Sequence, residues 1–382
     1  MAGSKKKCYV NYLGCEKRKL DAQRIVNFLR ANGYRLTSRS ADADVVVFLT
    51  CAFCNKYENY SVAKLEKIYT QKRAGATFVV GGCLPAINPG RLAPFPDAIQ
   101  IQARELPVLD TILQSHVPMA DIADPNTTII DTRDEALPRQ VGFKSPAELE
   151  YQAAKRGYKI RLDWGCLGNC SYCVTRLAEG HLMSKTEDQV VHEFQQGVDA
   201  GFTSFFLTGG DAGAYGIDLG SSIVALLKRI LEIPREYVIH FHDFGVQWLI
   251  QYFSALLPLF QNHCEKLGCF CFPAQSGSNR ILKLMRRPYT AEAVYATFRA
   301  VKQLVPSIKI GTHFIVGFPG ETEDDFQQIA QMLREIPFDF VEIYRYKDHD
   351  RADSCAFANK IPRDTILERN AILDQIFREK FA

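Results

Sequence analysis

The run Cys166-Leu-Gly-Asn-Cys170-Ser-Tyr-Cys173 places three cysteines at CxxxCxxC spacing, just after the strand-like run Lys159-Ile-Arg-Leu-Asp163. Three thiolates in one tight loop can hold three irons of a 4Fe–4S cluster, which leaves the fourth iron free to bind a substrate. A structural zinc loop and three buried thiols are the alternatives. Zinc sites usually have a fourth ligand and paired CxxC knuckles, and neither lies near this loop.

The size and composition of the chain limit its class. With 382 residues, of which 47% are hydrophobic and 23% charged, it is long enough for two domains with separate cores. The net charge of +3 is too small to imply nucleic-acid binding from the overall field. No apolar run or N-terminal signal segment indicates a membrane. We therefore expect a cytoplasmic protein, whose twelve cysteines serve metal ligation rather than disulfides.

Strands and helices alternate through the N-terminal part of the chain. Periodicity and turn residues predict strands at Cys8–Tyr12, Asp44–Leu49 and Thr77–Val80, and helices over Lys19–Asn32 and Glu58–Arg73. A further strand–helix unit is predicted near 98–115. Such alternation is typical of a doubly wound parallel α/β domain, which we assign to residues 1–118.

Residues 119–150 contain several prolines and no clear period, and a linker is predicted there. Alternation resumes over 151–382, with strands predicted near 159–163, 203–208, 237–242, 268–273, 308–316 and 339–346. Six such units predict a partial (β/α)6 barrel, in which chemistry lies at the carboxyl ends of the strands. His240 and His242 share one face of the third strand, either as polar filling of the barrel or as substrate contacts.

The cysteine loop resembles that of the radical S-adenosylmethionine (SAM) superfamily. In that superfamily the open iron chelates the amino and carboxylate groups of SAM, and one electron from the cluster splits SAM to a 5′-deoxyadenosyl radical. The resemblance implies that Cys166, Cys170 and Cys173 hold this cluster in a radical SAM barrel. It also implies a low-potential electron donor of the flavodoxin or ferredoxin type. A non-catalytic cluster-binding or redox-sensing protein is the alternative from another class.

The run Thr208-Gly209-Gly210-Asp211 follows the second predicted barrel strand. Glycines at this position let the backbone approach a ligand closely. The run is similar to the superfamily's Gly-Gly-Glu motif, which holds the amino group of SAM, and Asp211 stands in place of the glutamate. A simple βα turn is the alternative.

Further residues resemble the SAM contacts of the superfamily. The run Ile315-Val-Gly317-Phe-Pro-Gly-Glu321 resembles its adenine-packing motif, in which Gly317 lets the base lie against the strand. Tyr172 stands where an aromatic residue meets the adenine, although a lone loop aromatic is often mere packing. Gln275 and Ser276, at the end of the fourth barrel strand, are expected to face the ribose and carboxylate of SAM.

The stretch Pro273-Ala-Gln-Ser-Gly-Ser-Asn-Arg280, continued by Leu284-Met-Arg-Arg-Pro-Tyr-Thr290, closely resembles the methylthiotransferase branch of radical SAM enzymes. That branch modifies tRNA adenosines or an aspartate of a small-subunit ribosomal protein. The run from Thr208 to Asp218 is nearest to the subgroup that acts on threonylcarbamoyl-adenosine in tRNA. The resemblance thus implies an enzyme that transfers a methylthio group.

Three cysteines follow the predicted N-terminal strands, namely Cys15, Cys51 and Cys83. Parallel strands would place them along one sheet edge, where such folds bind ligands. Methylthiotransferases ligate a second, auxiliary 4Fe–4S cluster at these positions, so the resemblance implies two clusters. Each cysteine alone could instead be a buried small apolar residue. Cys54 is either a fourth thiol near the cluster or a bystander on the next helix, which we favour.

The sequence departs from the family in two places. Methylthiotransferases usually end in a small β-barrel, the TRAM domain, and no TRAM domain is expected here because the sequence stops at Phe381-Ala382. The run Tyr344–Asp353 replaces the family's Ser-x-Arg-Pro-Gly-Thr-like turn. On these grounds a peptide or small-molecule substrate is predicted. The alternatives are tRNA as the substrate and insertion of sulfur without its methyl group.

Overall fold

The computed structural model of the chain describes residues 6–129 and 144–381. Its internal contacts divide these residues into two units. The first unit contains 6–129 together with the short segments 174–180 and 349–351, and the second contains the remaining described residues. Two short segments that follow the cysteine loop in the chain therefore belong to the first unit.

A parallel five-stranded sheet forms the centre of the first unit. Its strands are β1 (Lys7–Tyr12), β2 (Arg35–Leu36), β3 (Val45–Thr50), β4 (Thr77–Gly82) and β5 (Ile99–Gln100), in the spatial order β2-β1-β3-β4-β5. All six residues of β3 are buried, as expected for an apolar run in a parallel sheet that is covered on both faces.

Helices connect these strands: α1 (Glu16–Ala31), α2 (Asn55–Gln71), α3 (Leu84–Ile87) and α4 (Val108–Leu113). The apolar face of α1 packs on the sheet, where Val26 and Leu29 share a core with Val47 and Val79. This arrangement confirms the predicted doubly wound parallel α/β fold. Helix α1 begins at Glu16 rather than at Lys19, and Cys15 occupies its N-cap position.

The chain reverses its direction of travel across this sheet at β1, since β2 and β3 pair with opposite sides of that strand. Ligands of open parallel sheets bind beyond the carboxyl ends of strands at such switch points. Strands β1, β3 and β4 all end at this edge, and each is followed within a few residues by a cysteine.

An open six-stranded parallel sheet forms the second unit. The strands of this part of the chain are β6 (Tyr158–Arg161), β7 (Asp163–Trp164), β8 (Met183–Ser184), β9 (Ser204–Thr208), β10 (Val238–Phe241), β11 (Leu267–Cys271), β12 (Lys309–Val316) and β13 (Phe340–Arg345). The main sheet has the order β13-β12-β11-β10-β9-β6, and β7 pairs with β8 separately. The predicted partial (β/α)6 barrel is therefore confirmed.

The helices of this part are α5 (Pro146–Ala154), α6 (Thr175–Glu179), α7 (Glu187–Asp199), α8 (Ile223–Leu231), α9 (Val246–Gln251), α10 (Phe253–Asn262), α11 (Asn279–Leu284), α12 (Ala291–Leu304), α13 (Glu323–Glu335) and α14 (Arg363–Arg378). Helix α6 lies in the first unit. Capping boxes at Thr186 and Thr322 begin α7 and α13, because each hydroxyl accepts a backbone N–H that the helix leaves unpaired.

Helix α5 begins at Pro146, inside the range 119–150 that the sequence predicts as a linker. It packs against the barrel sheet, where Tyr151 is fully buried beside Phe206 and Phe340. Residues 130–143 of the predicted linker lie outside the described residues. Among the helices that the structure describes, none is both long enough and apolar enough to cross a membrane.

Candidate active site

The CxxxCxxC loop is folded so that two of its sulfurs lie beside Gly168. The Gly168 N–H donates to Cys166 Sγ at 3.1 Å, and a Cβ built on Gly168 would lie 3.2 Å from Cys166 Sγ and 3.7 Å from Cys170 Sγ. The Cys173 N–H donates to the Cys170 carbonyl at 3.1 Å. The loop therefore brings the predicted ligands together, and the glycine gives their sulfurs room.

Ser171 fastens this loop to the C-terminal end of α11. Its hydroxyl donates to the Leu284 carbonyl at 2.7 Å, and its N–H donates to the Met285 carbonyl at 3.2 Å. The last carbonyls of a helix have no partner inside the helix, so Ser171 satisfies two of them. The cysteine loop thereby gains a fixed attachment to the rest of the barrel.

Burial raises the pKa of the Cys166 thiol to about 12, and the nearby Asp211, Cys170 and Cys173 act in the same direction. The effect of these neighbours on the Cys166 pKa agrees with the close grouping of the side chains. A thiol must lose its proton to become a metal ligand, so metal binding at this loop releases protons.

The two glycines of the Thr208–Asp211 run leave room for the segment that precedes the cysteine loop, so the backbone of that segment can lie against this turn. A Cβ on Gly209 would lie 2.3 Å from the Asp163 carboxylate, and one on Gly210 would lie 1.6 Å from the Gly165 carbonyl oxygen. Asp163 also accepts the Gly210 N–H at 2.6 Å. These contacts hold the glycine turn directly beside the start of the cysteine loop.

The Asp211 side chain accepts three hydrogen bonds from protein donors. They come from the Gly245 N–H at 2.9 Å, Gln247 Nε2 at 3.0 Å and Trp248 Nε1 at 2.7 Å. Burial raises the pKa of this carboxyl, and the bonds from Trp248 and Gly245, together with the charge of nearby Arg287, oppose the shift. The carboxylate thus organises the loop after β10, and a contact with the SAM amino group stays a prediction.

Gln275 and Ser276 lie at the end of β11, as the sequence predicts. Gln275 has a positive φ of 68° and bridges to β12, since its N–H donates to the His313 carbonyl at 2.7 Å. The Ser276 hydroxyl is fully buried and accepts the Ser278 N–H at 3.2 Å. Their predicted contacts with the ribose and carboxylate of SAM stay predictions.

Gly317 ends β12 with a positive φ of 75°, and a Cβ there would lie 2.3 Å from Cγ1 of Ile366 in α14. Glycine is therefore required at this turn by packing, whatever adenine contact it also makes. The Tyr172 ring meets the next residue, Phe318, edge to face at 6.5 Å between centroids. The structure thus brings the predicted aromatic residue of the cysteine loop beside the predicted adenine-packing motif.

In the first unit, the ends of β3 and β4 bring Cys51 and Cys83 together. A Cβ on Gly82, which has a φ of +89°, would lie 2.5 Å from the Thr50 carbonyl oxygen. The Cys83 N–H donates to that same oxygen at 3.0 Å. Ser61 of α2 holds the backbone of Cys51 by accepting its N–H at 3.0 Å and donating to its carbonyl at 2.7 Å.

Cys15 completes this group from the end of β1. A Cβ on the preceding residue, Gly14, would lie 3.4 Å from Cys51 Cβ, so the two strand ends are in close approach. Burial raises the pKa of Cys51 above its usual value, and Cys83 and Cys15 add to the effect. Cys54 caps the N-terminus of α2 and is partly exposed. The structure brings the three predicted ligands together with Cys54 nearby.

A buried arginine that the sequence analysis did not identify lies beside these thiols. Arg18 pairs with Asp21 at 2.9 Å and with Glu179 of α6 at 3.2 Å. Burial raises the pKa of Cys83 to about 12, and Arg18 is the leading influence that lowers it. Spacing along α1 relates Arg18 to Asp21, but no sequence signal relates it to Glu179, 161 residues away.

The barrel also contains a second set of polar side chains, around His242. His242 contacts the Tyr151 hydroxyl and lies 3.2 Å from Asp243. On the neighbouring strands, His313 lies 3.1 Å from Cys271 Sγ and 3.6 Å from Glu342. Burial lowers the pKa of His242 to about 4. This histidine therefore belongs to an internal polar network, and its internal contacts account for a polar residue at this buried position.

Glu150, His240 and Cys269 also lie close enough to hold a metal ion. Each of the three already has a partner inside the protein. Glu150 pairs with Lys309, His240 Nδ1 accepts the Cys269 N–H at 3.1 Å, and Cys269 Sγ donates to the Ala147 carbonyl at 3.4 Å. Internal contacts therefore account for this group.

Comparison with known families covers both parts of the chain. A model of the radical SAM superfamily matches residues 165–333, and a model described as uncharacterized protein family UPF0004 matches residues 7–101. The ribosomal protein uS12 methylthiotransferase RimO of Acidithiobacillus ferrooxidans is 31% identical over 377 residues, which is 94% of this chain and 79% of that protein. The chain belongs to the radical SAM methylthiotransferase family.

Other members of this methylthiotransferase family match the chain at lower identity. A probable threonylcarbamoyladenosine tRNA methylthiotransferase of Methanocaldococcus jannaschii is 27% identical, over 97% of this chain and 82% of that protein. The tRNA-2-methylthio-N(6)-dimethylallyladenosine synthase of Protochlamydia amoebophila is 26% identical, over 96% and 79%. The names of these relatives refer to tRNA or a ribosomal protein, so they do not support the predicted peptide or small-molecule substrate.

Two solved structures share the fold. The radical SAM methyltransferase TsrM from Kitasatospora setae has a TM-score of 0.62 at 15% identity, over 92% of this chain and 77% of that one. The cobalamin-dependent S-adenosylmethionine radical enzyme OxsB has a TM-score of 0.59 at 13% identity, over 98% of this chain and 56% of that one. Identities this low concern the fold alone.

Family membership confirms several expectations from the sequence. The protein is a radical SAM enzyme of sulfur or methylthio transfer, and it uses SAM and two 4Fe–4S clusters.

Proposed function

We propose that this enzyme attaches a methylthio group to a threonylcarbamoyl-modified adenosine of tRNA. The observation that carries the transfer chemistry is the pair of cysteine triads, each gathered in one unit at the carboxyl ends of parallel strands. The similarity of Thr208–Asp218 to the corresponding tRNA-modifying subgroup supports the substrate. The likeness to the relative of that name from Methanocaldococcus jannaschii, which spans 97% of this chain, supports it further.

A ribosomal protein is the second candidate substrate. It is favoured by the 31% identity to the uS12 methylthiotransferase of Acidithiobacillus ferrooxidans. Both candidates require the same cluster chemistry, so they differ only in what the enzyme recognises.

The donor set of each triad fits a 4Fe–4S cluster. Each supplies three cysteine thiols, which are the usual ligands of such clusters, and a fourth iron position is left for another ligand. Beside the first loop, the Gly168 N–H donates to Cys166 Sγ at 3.1 Å, and such backbone donors are common partners of sulfur in metal sites. We assign one cluster to Cys166, Cys170 and Cys173.

The auxiliary cluster is assigned to Cys15, Cys51 and Cys83. Cys15 caps the 16-residue helix α1, and the positive end of a helix dipole favours a thiolate there. Arg18 adds a buried positive charge close to Cys83. Cys54 is not included, because the family resemblance places the ligands at Cys15, Cys51 and Cys83.

When bound, the two clusters and SAM supply the electron, the adenosyl radical and the transferable sulfur. The protein positions these groups. Asp163 holds the Gly210 N–H at 2.6 Å, which fixes the glycine turn that we assign to SAM. Ser171 fixes the cysteine loop to α11, and Tyr172 with Phe318 offers an aromatic surface near Gly317.

Counting clusters tests the ligand assignment. Anaerobically prepared wild-type protein is expected to contain two clusters' equivalents of iron and sulfide. A Cys166→Ala, Cys170→Ala, Cys173→Ala triple variant should retain one, and so should the corresponding triple variant of Cys15, Cys51 and Cys83. Cys264→Ala serves as the control, because Cys264 belongs to neither triad. One cluster in the wild-type protein would refute the assignment.

The substrate is tested by mass spectrometry of reaction products. The cluster-loaded enzyme is incubated with SAM, a low-potential reductant and either threonylcarbamoyl-modified tRNA or the small-subunit ribosomal protein. Gain of SCH3 on the tRNA nucleoside is the expected result. Gain of SCH3 on the ribosomal protein alone would overturn the tRNA proposal in favour of the second candidate. Gain of sulfur without its methyl group would overturn methylthio transfer itself.

A further inference from the structure

The end of helix α11 directs one arginine toward the cysteine loop. Arg286 has a positive φ of 60°. Its N–H donates to the Lys283 carbonyl at 3.0 Å, and the Arg287 N–H donates to the Leu282 carbonyl at 2.9 Å. These bonds close the helix with a left-handed turn. Because of this turn, the adjacent side chains of Arg286 and Arg287 have different surroundings.

Arg287 reaches the sulfur of a cysteine in the CxxxCxxC loop. Its Nη1 donates to Cys170 Sγ at 3.2 Å. The rest of the guanidinium is fixed by neutral groups: Nε donates to the Tyr289 hydroxyl at 2.7 Å, and Nη2 contacts Gln247 Oε1 and the Pro273 carbonyl at 3.4 Å each. Among the described residues, no carboxylate forms an ion pair with Arg287. The nearby Asp211 carboxylate compensates part of this charge, but the direct contact that Arg287 makes in the cysteine loop is with the Cys170 sulfur.

A cation at this position favours one redox state of a bound cluster. A cluster held by three thiolates gains one negative charge when it is reduced, and a nearby positive charge stabilises the more negative state. Hydrogen bonds to ligand sulfurs are among the factors that set cluster potentials. Both effects act through Cys170 Sγ and make reduction easier.

We propose that Arg287 raises the reduction potential of the cluster at Cys166, Cys170 and Cys173. The step concerned is the transfer of one electron from a low-potential donor, such as reduced flavodoxin or ferredoxin, which takes the cluster from the 2+ to the 1+ state. Arg287 acts through a ligand and is a positioning residue. The proposal rests on the ligand assignment made above.

The charged residues beside the auxiliary triad are arranged differently. Arg18 lies beside it, but Arg18 is paired with Asp21 and Glu179, and Lys17 lies 3.6 Å from Glu179. Glu179 also stabilises the charge of Arg104, so Arg18 belongs to a network of several charges of both signs. Arg287 instead contacts a cysteine sulfur directly, and its effect is expected at the cluster that cleaves SAM.

The test is an anaerobic redox titration followed by electron paramagnetic resonance of the reduced clusters. The cluster-loaded wild-type enzyme is compared with Arg287→Met and Arg287→Lys. In Arg287→Met we expect the ratio of reduced to oxidised SAM-cleaving cluster, at a fixed applied potential, to fall about tenfold, which is about 59 mV for a one-electron couple. Arg287→Lys should fall less, because it keeps the charge and loses the fork of donors.

Arg286→Asn is the matched control. It also removes one positive charge, one residue away, but Arg286 pairs with Asp353 at the surface and contacts no cysteine. Asparagine tolerates the positive φ at this position. The control should leave both cluster potentials at their wild-type values, and a shift as large as that of Arg287→Met would overturn the proposal.

Failure of this inference can be distinguished from failure of the proposed function. If Arg287→Met keeps two clusters per chain and the wild-type potential, the inference is wrong and the ligand assignment stands. If the wild-type enzyme holds one cluster, the assignment fails first. If Arg287→Met loses its cluster, Arg287→Gln replaces it, since its amide can still donate to sulfur. An unchanged potential in that variant would equally overturn the proposal.

Discussion

Asp211 shows how much of the candidate site depends on a single buried carboxylate. It receives hydrogen bonds from Gly245, Gln247 and Trp248. Asp211→Ala leaves these donors without their partner, and each unsatisfied buried donor costs about 1–3 kcal/mol. We expect the free energy of unfolding to fall by about 3 kcal/mol in total, as measured by urea denaturation with tryptophan fluorescence.

Two companion variants separate this effect from a general loss of charge. Asp211→Asn keeps one acceptor and removes a buried charge, so it should be less destabilising than the alanine variant. Asp199→Ala removes an exposed carboxylate that accepts from Gln195, and such surface changes are usually within about 0.5 kcal/mol. Equal losses in all three variants would contradict the role given to Asp211.

His240 gives the protein a predictable response to acid. Burial lowers its pKa to about 4 in the folded chain. The charge of nearby Glu150 raises this pKa and that of Lys309 lowers it, both by smaller amounts. The unfolded chain binds a proton near pH 6.5, before the folded chain does. Stability is therefore fully retained above about pH 6.5 and is lost as the pH falls toward 4, by on the order of 3 kcal/mol for this residue.

Urea denaturation at several pH values, on protein prepared without iron, checks the response of His240. The slope of unfolding free energy against pH between 6.5 and 4 should become shallower in His240→Gln, which can still accept the Cys269 N–H. His192→Gln is the control, because His192 is exposed on α7. A slope unchanged by His240→Gln would assign the acid response to other groups.

At the scale of elements, the turn after β12 depends on helix α14. A Cβ on Gly317 would meet Ile366 at 2.3 Å, whereas Gly220 has a similar φ of +70° and nothing within 4 Å of its would-be Cβ. Both alanine variants carry the strain of a left-handed residue, about 1–2 kcal/mol. Gly317→Ala should lose clearly more stability than Gly220→Ala, because α14 must also move.

A double variant identifies the cause of that difference. Ile366→Ala removes the atoms that a new methyl group at Gly317 would meet. Adding it to Gly317→Ala should recover stability relative to the sum of the two single changes, as measured by thermal unfolding. Strict additivity would show that packing against α14 is not the reason for the glycine.

Most of the regular elements could be predicted from local sequence. The apolar run of β3 and the periodicity of α1 and α2 need only neighbouring residues to be recognised, and all six barrel strands lie where they are predicted. Helix α5 was missed because the stretch before it is rich in proline and has no clear period. A local start signal is nevertheless present, since Ser145 caps the helix by accepting the Glu148 N–H and Pro146 occupies its first position. Tyr151 then packs this helix against Phe206 and Phe340.

At the scale of the whole molecule, the cysteine triads were predictable and their supporting residues were not. Strand ends in a parallel fold share an edge, so Cys15, Cys51 and Cys83 could be grouped from their places in the pattern. Arg287 lies 117 residues from Cys170, and no periodicity relates them. Contacts of this length follow from the tertiary fold, which a single sequence does not display.

The first unit draws on residues far along the chain, which predicts how it behaves when cut out. A fragment that stops before residue 174 lacks Glu179, the buried partner of Arg18. Removing one partner of a buried pair is destabilising by about 3–5 kcal/mol. We expect Glu179→Ala in the full chain to be destabilised by about 3 kcal/mol, and the fragment to be less stable still in urea.

Asp97→Ala is the comparison for that prediction. Its pair with Lys72 is half exposed, and exposed pairs contribute about 0–1 kcal/mol. If the fragment and Glu179→Ala were both as stable as the Asp97→Ala protein, the segment 174–180 would be dispensable for the first unit.

The membership of 174–180 and 349–351 in the first unit also bears on synthesis at the ribosome. The five strands of its sheet emerge early, yet the segment with Glu179 follows the sheet by some seventy residues and the one with His349, which lies 3.4 Å from Glu58, emerges near the end of the chain. Domains usually fold as units during translation, N-terminal first. Before residue 179 is made, Arg18 in the nascent first unit can pair with Asp21 but not with Glu179. The first unit is therefore complete only after the later segments have been translated.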